Sequence, residues 1–153
     1  MKRKLKTCII VLLASLLAPL TLACGESKIS PDELMLKIDL DTDEEIGLLI
    51  IDWNLGSESG SGGISNADKS MLTPGEPLYF SLGNSQFMNI EEPFNLTLSF
   101  TISTEYFDPN FDNDYPEEYL IHLEPVSFEA EFGNTYDIAI SGNKNDGYTA
   151  KTA

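Results

Sequence analysis

The sequence predicts an all-β domain, an antiparallel β-sandwich of about seven to eight strands, following an N-terminal apolar helix. Three observations predict it. Apolar residues after Pro31 recur with period two, short runs of them are separated by turn residues, and no stretch there keeps a 3.6-residue period over three turns. With 153 residues, the chain has room for one domain of ordinary size and little more.

The N-terminal segment reads as an export signal. Lys2, Arg3, Lys4 and Lys6 form a basic start, Ile9 to Ala18 is an apolar run, Pro19 breaks it, and Leu20-Thr21-Leu22-Ala23-Cys24 follows. Two alternatives stand beside a cleaved lipoprotein signal: ordinary cleavage at the same bond, and an uncut anchor, since Thr7 to Gly25 carries no charge and is just long enough to span a bilayer. The Ala23-Cys24 ending resembles the lipobox of bacterial lipoproteins. That resemblance implies a diacylglycerol on Cys24 and a signal peptide over 1–23, and Gly25 after the Cys implies sorting to the outer membrane. Several acyl chains, at ~0.8 kcal/mol per buried methylene, make a stable tether where one chain binds only marginally. Cys8 departs with the signal. With Cys24 lipidated no thiol remains, so an internal disulfide, thiol chemistry and Cys-ligated zinc are all excluded.

Residues 24–33 read as the lipidated Cys and a short polar tether, and 34–153 as the sandwich. Leu34, Leu36, Ile38 and Leu40 alternate with Met35, Lys37 and Asp39, which gives the first strand. Ile46 to Trp53 is nearly continuous in apolar residues, as suits a central strand. Gly56 to Gly63, all Gly, Ser and one Glu, reads as a flexible loop. Thr73-Pro74-Gly75-Glu76 has the Pro and Gly placement of a type II turn, and Pro77 to Leu82 follows as a strand. Phe94, Leu96, Leu98, Phe100 and Ile102 alternate with Asn95, Thr97, Ser99, Thr101 and Ser103, one apolar face and one hydroxyl-rich face. Glu118 to Leu123, the Val126–Phe132 alternation, the Tyr136–Ile140 alternation and Tyr148 to Thr152 complete the set.

Parity constrains the C-terminal third. A two-residue loop at Gly133-Asn134 would set Phe128 and Ile140 on opposite faces of one sheet. Either a three-residue loop restores the phase, or the chain crosses here from one sheet to the other. The second solution, carried by Phe128, Gly133, Tyr136, Ile138 and Ile140, resembles the corner between two strands of immunoglobulin-like and fibronectin type III domains. There a Tyr bonds the backbone upstream. Ile46-x-Leu48-x-Ile50-x-x-Trp53 loosely resembles the fibronectin type III strand that ends in Trp. The resemblance implies an Ig-like scaffold used mostly for binding or spacing, and fold alone does not fix function.

Charge excludes one class of partner. From Cys24 onward there are 25 carboxylates against five lysines and no Arg, a formal net charge of −20. Such a chain repels nucleic acid and any anionic membrane surface, so its attachment to a membrane rests on the lipid. Two acidic segments suit oxygen-ligated Ca²⁺. Asp39, Asp41 and Asp43 stand two apart, and Asp108, Asp112 and Asp114 lie in the loop from Phe107 to Glu118; neither matches an EF-hand, and both also read as solvated acidic loops. Tyr106, Phe107, Phe111, Tyr115 and Tyr119 surround the second loop, where they can stack on sugars or pin the loop to the domain. His122, alone among apolar neighbours, reads as structural. Gly56 to Gly60 fails as a nucleophile elbow because Glu58 holds the nucleophile position, and no phosphate loop or dinucleotide fingerprint is present. The sequence therefore predicts no catalytic residues. It favours an envelope-anchored, non-catalytic binding or assembly module for an envelope protein or glycan. A calcium-dependent carbohydrate-binding module and a small two-carboxylate hydrolase are the alternatives.

Overall fold

The computed structural model describes residues 29–87, 90–105 and 116–153. Among them are nine strands: β1 Glu33–Thr42, β2 Leu48–Leu55, β3 Glu58–Ile64, β4 Leu78–Gly83, β5 Phe94–Ser103, β6 Leu120–His122, β7 Val126–Ala130, β8 Thr135–Asn143 and β9 Gly147–Thr152. They form a β-sandwich. One sheet has the order β4-β1-β8-β9, the other the order β3-β2-β5, with β6 and β7 in succession along the far side of β5.

The alternation read from the sequence becomes the core. Leu34, Leu36, Ile38 and Leu40 of β1 and Ile138 and Ile140 of β8 face inward from one sheet. Leu49, Ile51 and Leu55 of β2 and Leu96, Leu98, Phe100 and Ile102 of β5 face them from the other, and all are buried. Each such side chain contributes about 1.5–3 kcal/mol relative to exposure, which lets the domain stand on its core. β2 lies between β3 and β5, as its continuous apolar run predicts.

The all-β sandwich is as the sequence predicts, and one reading within it is corrected: Glu58–Ile64 is a strand and not a flexible loop, which brings the described strands to nine. Its glycines are there for space. A Cβ on Gly60 would stand 2.3 Å from the Trp53 ring, and one on Gly62 would stand 2.5 Å from the Phe80 ring. The two aromatic rings occupy the space that side chains at Gly60 and Gly62 would need, so the composition that reads as flexible is a packing requirement. Six of the seven strand pairings are antiparallel, and β1 and β8 run parallel. The corner at Gly133 is the cause. Its N–H donates to the Glu33 carbonyl at 2.7 Å and the Met35 N–H donates to the Asn134 carbonyl at 3.0 Å, so β8 begins beside the start of β1 and follows it.

The parity problem is solved by crossing. β7 pairs with β5 in one sheet and β8 pairs with β1 and β9 in the other. Phe132 is buried, Phe128 and Tyr136 pack half-buried against the same core as Ile138 and Ile140, and the Phe128 and Tyr136 rings lie 5.1 Å apart. The Tyr136 hydroxyl accepts the Glu131 N–H at 2.8 Å, the upstream backbone contact that the resemblance implies. Gly133 takes φ +77° at the turn, a left-handed conformation that favours glycine.

Candidate binding surface

The sandwich leaves two outer faces. The face of the four-stranded sheet carries the first acidic segment. Asp39 and Asp41 point outward from β1, and Lys37, on the same side, donates to Asp39 Oδ2 at 3.0 Å and Asp137 Oδ1 at 3.3 Å. These hydrogen bonds, Asp39 first and Asp137 second, hold the Lys37 ammonium above its usual value. Ser141 and Thr149 pair their hydroxyls at 3.3 Å further along the same sheet. Lys37, Asp39 and Asp137, and Ser141 and Thr149, thus satisfy one another, while Asp41, Tyr79, Ser81 and Lys151 on the same face bond to no other described side chain.

Asp43 lies past the end of β1 and takes part in a different network. Asn143 donates through Nδ2 to Asp43 Oδ2 and to Asp146 Oδ2, each at 3.0 Å. Glu44 Oε1 accepts the Lys144 N–H at 2.7 Å and the Tyr148 hydroxyl. Burial pushes the Tyr148 phenol up, and the Glu44 carboxylate beside it pushes further in the same direction. These contacts clamp the β8–β9 hairpin to the end of β1, about a hundred residues away in sequence. Asp39 and Asp43 are therefore engaged by separate partners. Among the described residues no group of three or more His, Cys, Asp and Glu is placed to hold a metal ion. Asp108, Asp112, Asp114, the aromatic residues from Tyr106 to Tyr115, and Cys24 lie outside the described residues.

The outer face of the five-stranded sheet is different. Cross-strand register sets Ser59, Asn54, Thr97 and Ser127 in one row across β3, β2, β5 and β7, and Ser61, Asp52 and Ser99 in the next. Ser59, Ser61, Asn54 and Asp52 are exposed. Thr97 and Ser127 share a hydrogen bond at 2.8 Å, and beyond them Thr101 bonds His122 Nδ1 at 2.8 Å. His122 Nε2 meets Glu117 Oε1 at 3.0 Å, with both side chains largely exposed. On β2, β3 and β5 this face bears a single charge, Asp52, and no other described residue bonds it. An open hollow of about 420 Å³ lies over Asp52, Asn54, Ser59, Ser61, Thr97 and Ser99. A second, of about 640 Å³, lies where Ser30, Asp32 and the start of β1 meet Gly83, Asn84 and Phe87.

Only part of this surface is visible in the sequence. The hydroxyl side of β5 is read from its alternation, but its continuation across β2 and β3 depends on register, and β3 itself reads as a loop.

No protein-family model matches the chain, and no curated protein matches it. Among solved structures it is similar to pneumolysin at 1.98 Å resolution, with a TM-score of 0.38 and 11% identity over 79% of this chain and 23% of that one. It is similar to listeriolysin O at 0.39 and 8%, over 79% and 22%. For a structure of the membrane-binding domain of pneumolysin the values are 0.37 and 10%, over 79% and 96%. The chain thus spans less than a quarter of the full-length proteins, and at such scores the likeness says nothing of what this chain binds.

Proposed function

We propose that the chain is an envelope-anchored lipoprotein whose β-sandwich is a non-catalytic binding module, and that it meets its partner with the outer face of the five-stranded sheet. The observation that carries this reading is the double row of Ser59, Asn54, Thr97 and Ser61, Asp52, Ser99. It is an open field of hydrogen-bonding groups with one charge that no other described residue bonds, on a chain whose charges elsewhere are dense. The anchor is a lipid on Cys24, from the Leu-Thr-Leu-Ala-Cys ending, and the acidic domain keeps nucleic acid away. Such rows also suit the hydroxyls of a neutral glycan, which is the second reading; it needs no calcium at Asp39, Asp41 and Asp43.

Two measurements test the proposal. Mass spectrometry of the mature N-terminus is expected to find acylated Cys24; an unmodified Cys24 or an intact Met1 removes the anchor. Ser61→Lys and Ser99→Lys, at exposed or half-exposed positions, are expected to abolish recovery of an envelope partner while leaving the thermal midpoint within a few degrees. Unchanged recovery removes the surface.

A further inference from the structure

We propose that β3 is an acceptor edge for strand addition, and that it takes an extended segment of a partner polypeptide in which basic and apolar residues alternate. This rests on the reading of the five-stranded sheet as the binding surface and specifies how that surface is engaged.

β3 is the end of its sheet. It pairs with β2 alone, and among the described residues no backbone hydrogen bond reaches it from the other side. A strand in that position presents a row of free N–H and C=O groups, which proteins commonly guard with Lys, Pro or inward charges. Two other edges carry such residues: Pro77 precedes β4 and Lys151 lies in β9. In Glu58–Ile64 the sole charge is Glu58, on the inner side at the start of the strand, and the residues from Ser59 to Ile64 include no charge and no Pro.

The two sides of β3 define the incoming segment. On the outer side Ser59, Ser61 and Gly63 are small, and Asp52 stands directly behind Ser61 on β2, exposed and unbonded by any described residue. Strands lie about 4.8 Å apart, so a Lys or Arg opposite Ser61 sits two strand spacings from Asp52, and its long stem passes over the serine to meet it. On the inner side Gly60 and Gly62 leave the Trp53 and Phe80 rings half-buried. Apolar residues at the alternate positions of the new strand would cover them. Main-chain bonds would supply affinity and the alternating side chains specificity. The formal charge of −20 from Cys24 onward draws a basic segment and repels an acidic one.

The test uses the full chain in detergent and a capped synthetic peptide of about ten residues alternating lysine with valine, with hydrogen exchange read at the amides of 58–64. Expected is slowed exchange in β3. The same peptide with alternate backbone amides N-methylated keeps its charge and is expected to give no protection, and a glutamate–valine peptide none. Asp52→Asn, at an exposed site that no described residue bonds, is expected to weaken binding about two- to fivefold, the worth of an exposed ion pair. Equal binding of the N-methylated peptide, protection confined to other strands, or protection of β3 that rises with protein concentration in the absence of peptide would each overturn the proposal. The last result would make a second copy the occupant. Loss of partner recovery in Ser99→Lys, with β3 amides unprotected, would remove strand addition and leave the binding-surface reading in place.

Discussion

The two outer faces of the sandwich are built by the same alternation and differ in which of their groups are left open. On the four-stranded sheet Lys37 is bonded to Asp39 and Asp137, Ser141 to Thr149, and the strand end to the β8–β9 hairpin through Asn143 and Tyr148. On the five-stranded sheet Thr97 bonds Ser127 and Thr101 bonds His122, while Asp52, Asn54, Ser59 and Ser61, side by side on β2 and β3, bond to no other described side chain. Burying one side of a strand fixes where the other side points but not what it does there. A face whose groups satisfy one another gains a little stability and little capacity to bind. A face whose groups are left to water keeps its hydrogen-bonding capacity for a ligand.

The open face depends on β3, and β3 depends on two glycines, so the largest effect is expected there. Gly62→Val should cost about 1–3 kcal/mol, because the new side chain overlaps the Phe80 ring and either the ring or the strand must move. Ser61→Val, one residue away on the outer side, should stay within about 0.5 kcal/mol. Urea titration of both variants checks this; equal losses would mean that the glycines are not spacers and that β3 is held otherwise than described.

A second effect lies on the closed side. Tyr148 has its phenol pK raised in the folded chain, so the folded state holds its proton more tightly than the unfolded state. The associated stability is complete below the ordinary tyrosine value of 10.0 and is lost as pH rises through and beyond it. Tyr148→Phe should therefore flatten the alkaline limb of the stability–pH curve above about pH 10. A limb unchanged in slope would mean that Glu44 and burial do not act on this phenol.

How much of this contrast was legible in the sequence differs from strand to strand. β1, β5, β7 and β8 are written in clean alternation, and the structure places their apolar sets in the core. β3 was not legible, since Gly and Ser carry no period and the reason for them, the Trp53 and Phe80 rings, comes from β2 and from β4. The candidate ligands were read as a local pattern, Asp39, Asp41 and Asp43. Asp39 bonds Lys37, two residues away in the same strand, and Asp43 is held by Asn143, a hundred residues away. No local pattern signals the second pairing. The hydroxyl side of β5 was visible as one strand of a surface whose width only strand register could supply.

Smaller effects sharpen the comparison. Lys37→Met should lower stability slightly at low ionic strength and leave it unchanged at high salt, since the ion pairs it removes are open to solvent. Because the Lys37 pK is raised, that contribution is present below the ordinary lysine value of 10.5 and fades as pH rises past it. Asp52→Asn, on the open face, should show no comparable loss at low salt; thermal melts at two ionic strengths compare the pair. If Asp52→Asn loses as much as Lys37→Met, the open face is not open.

The central claim is that the five-stranded sheet carries the contact surface, and site-specific photocrosslinking in intact cells tests it most directly. A photoreactive residue is placed in turn at Ser61 and Ser99 on that sheet, and at Tyr79 and Asp41 on the opposite face, all outside the core. The account predicts one discrete adduct shared by Ser61 and Ser99 and none from Tyr79 or Asp41. An adduct formed only from Tyr79 or Asp41 would contradict it.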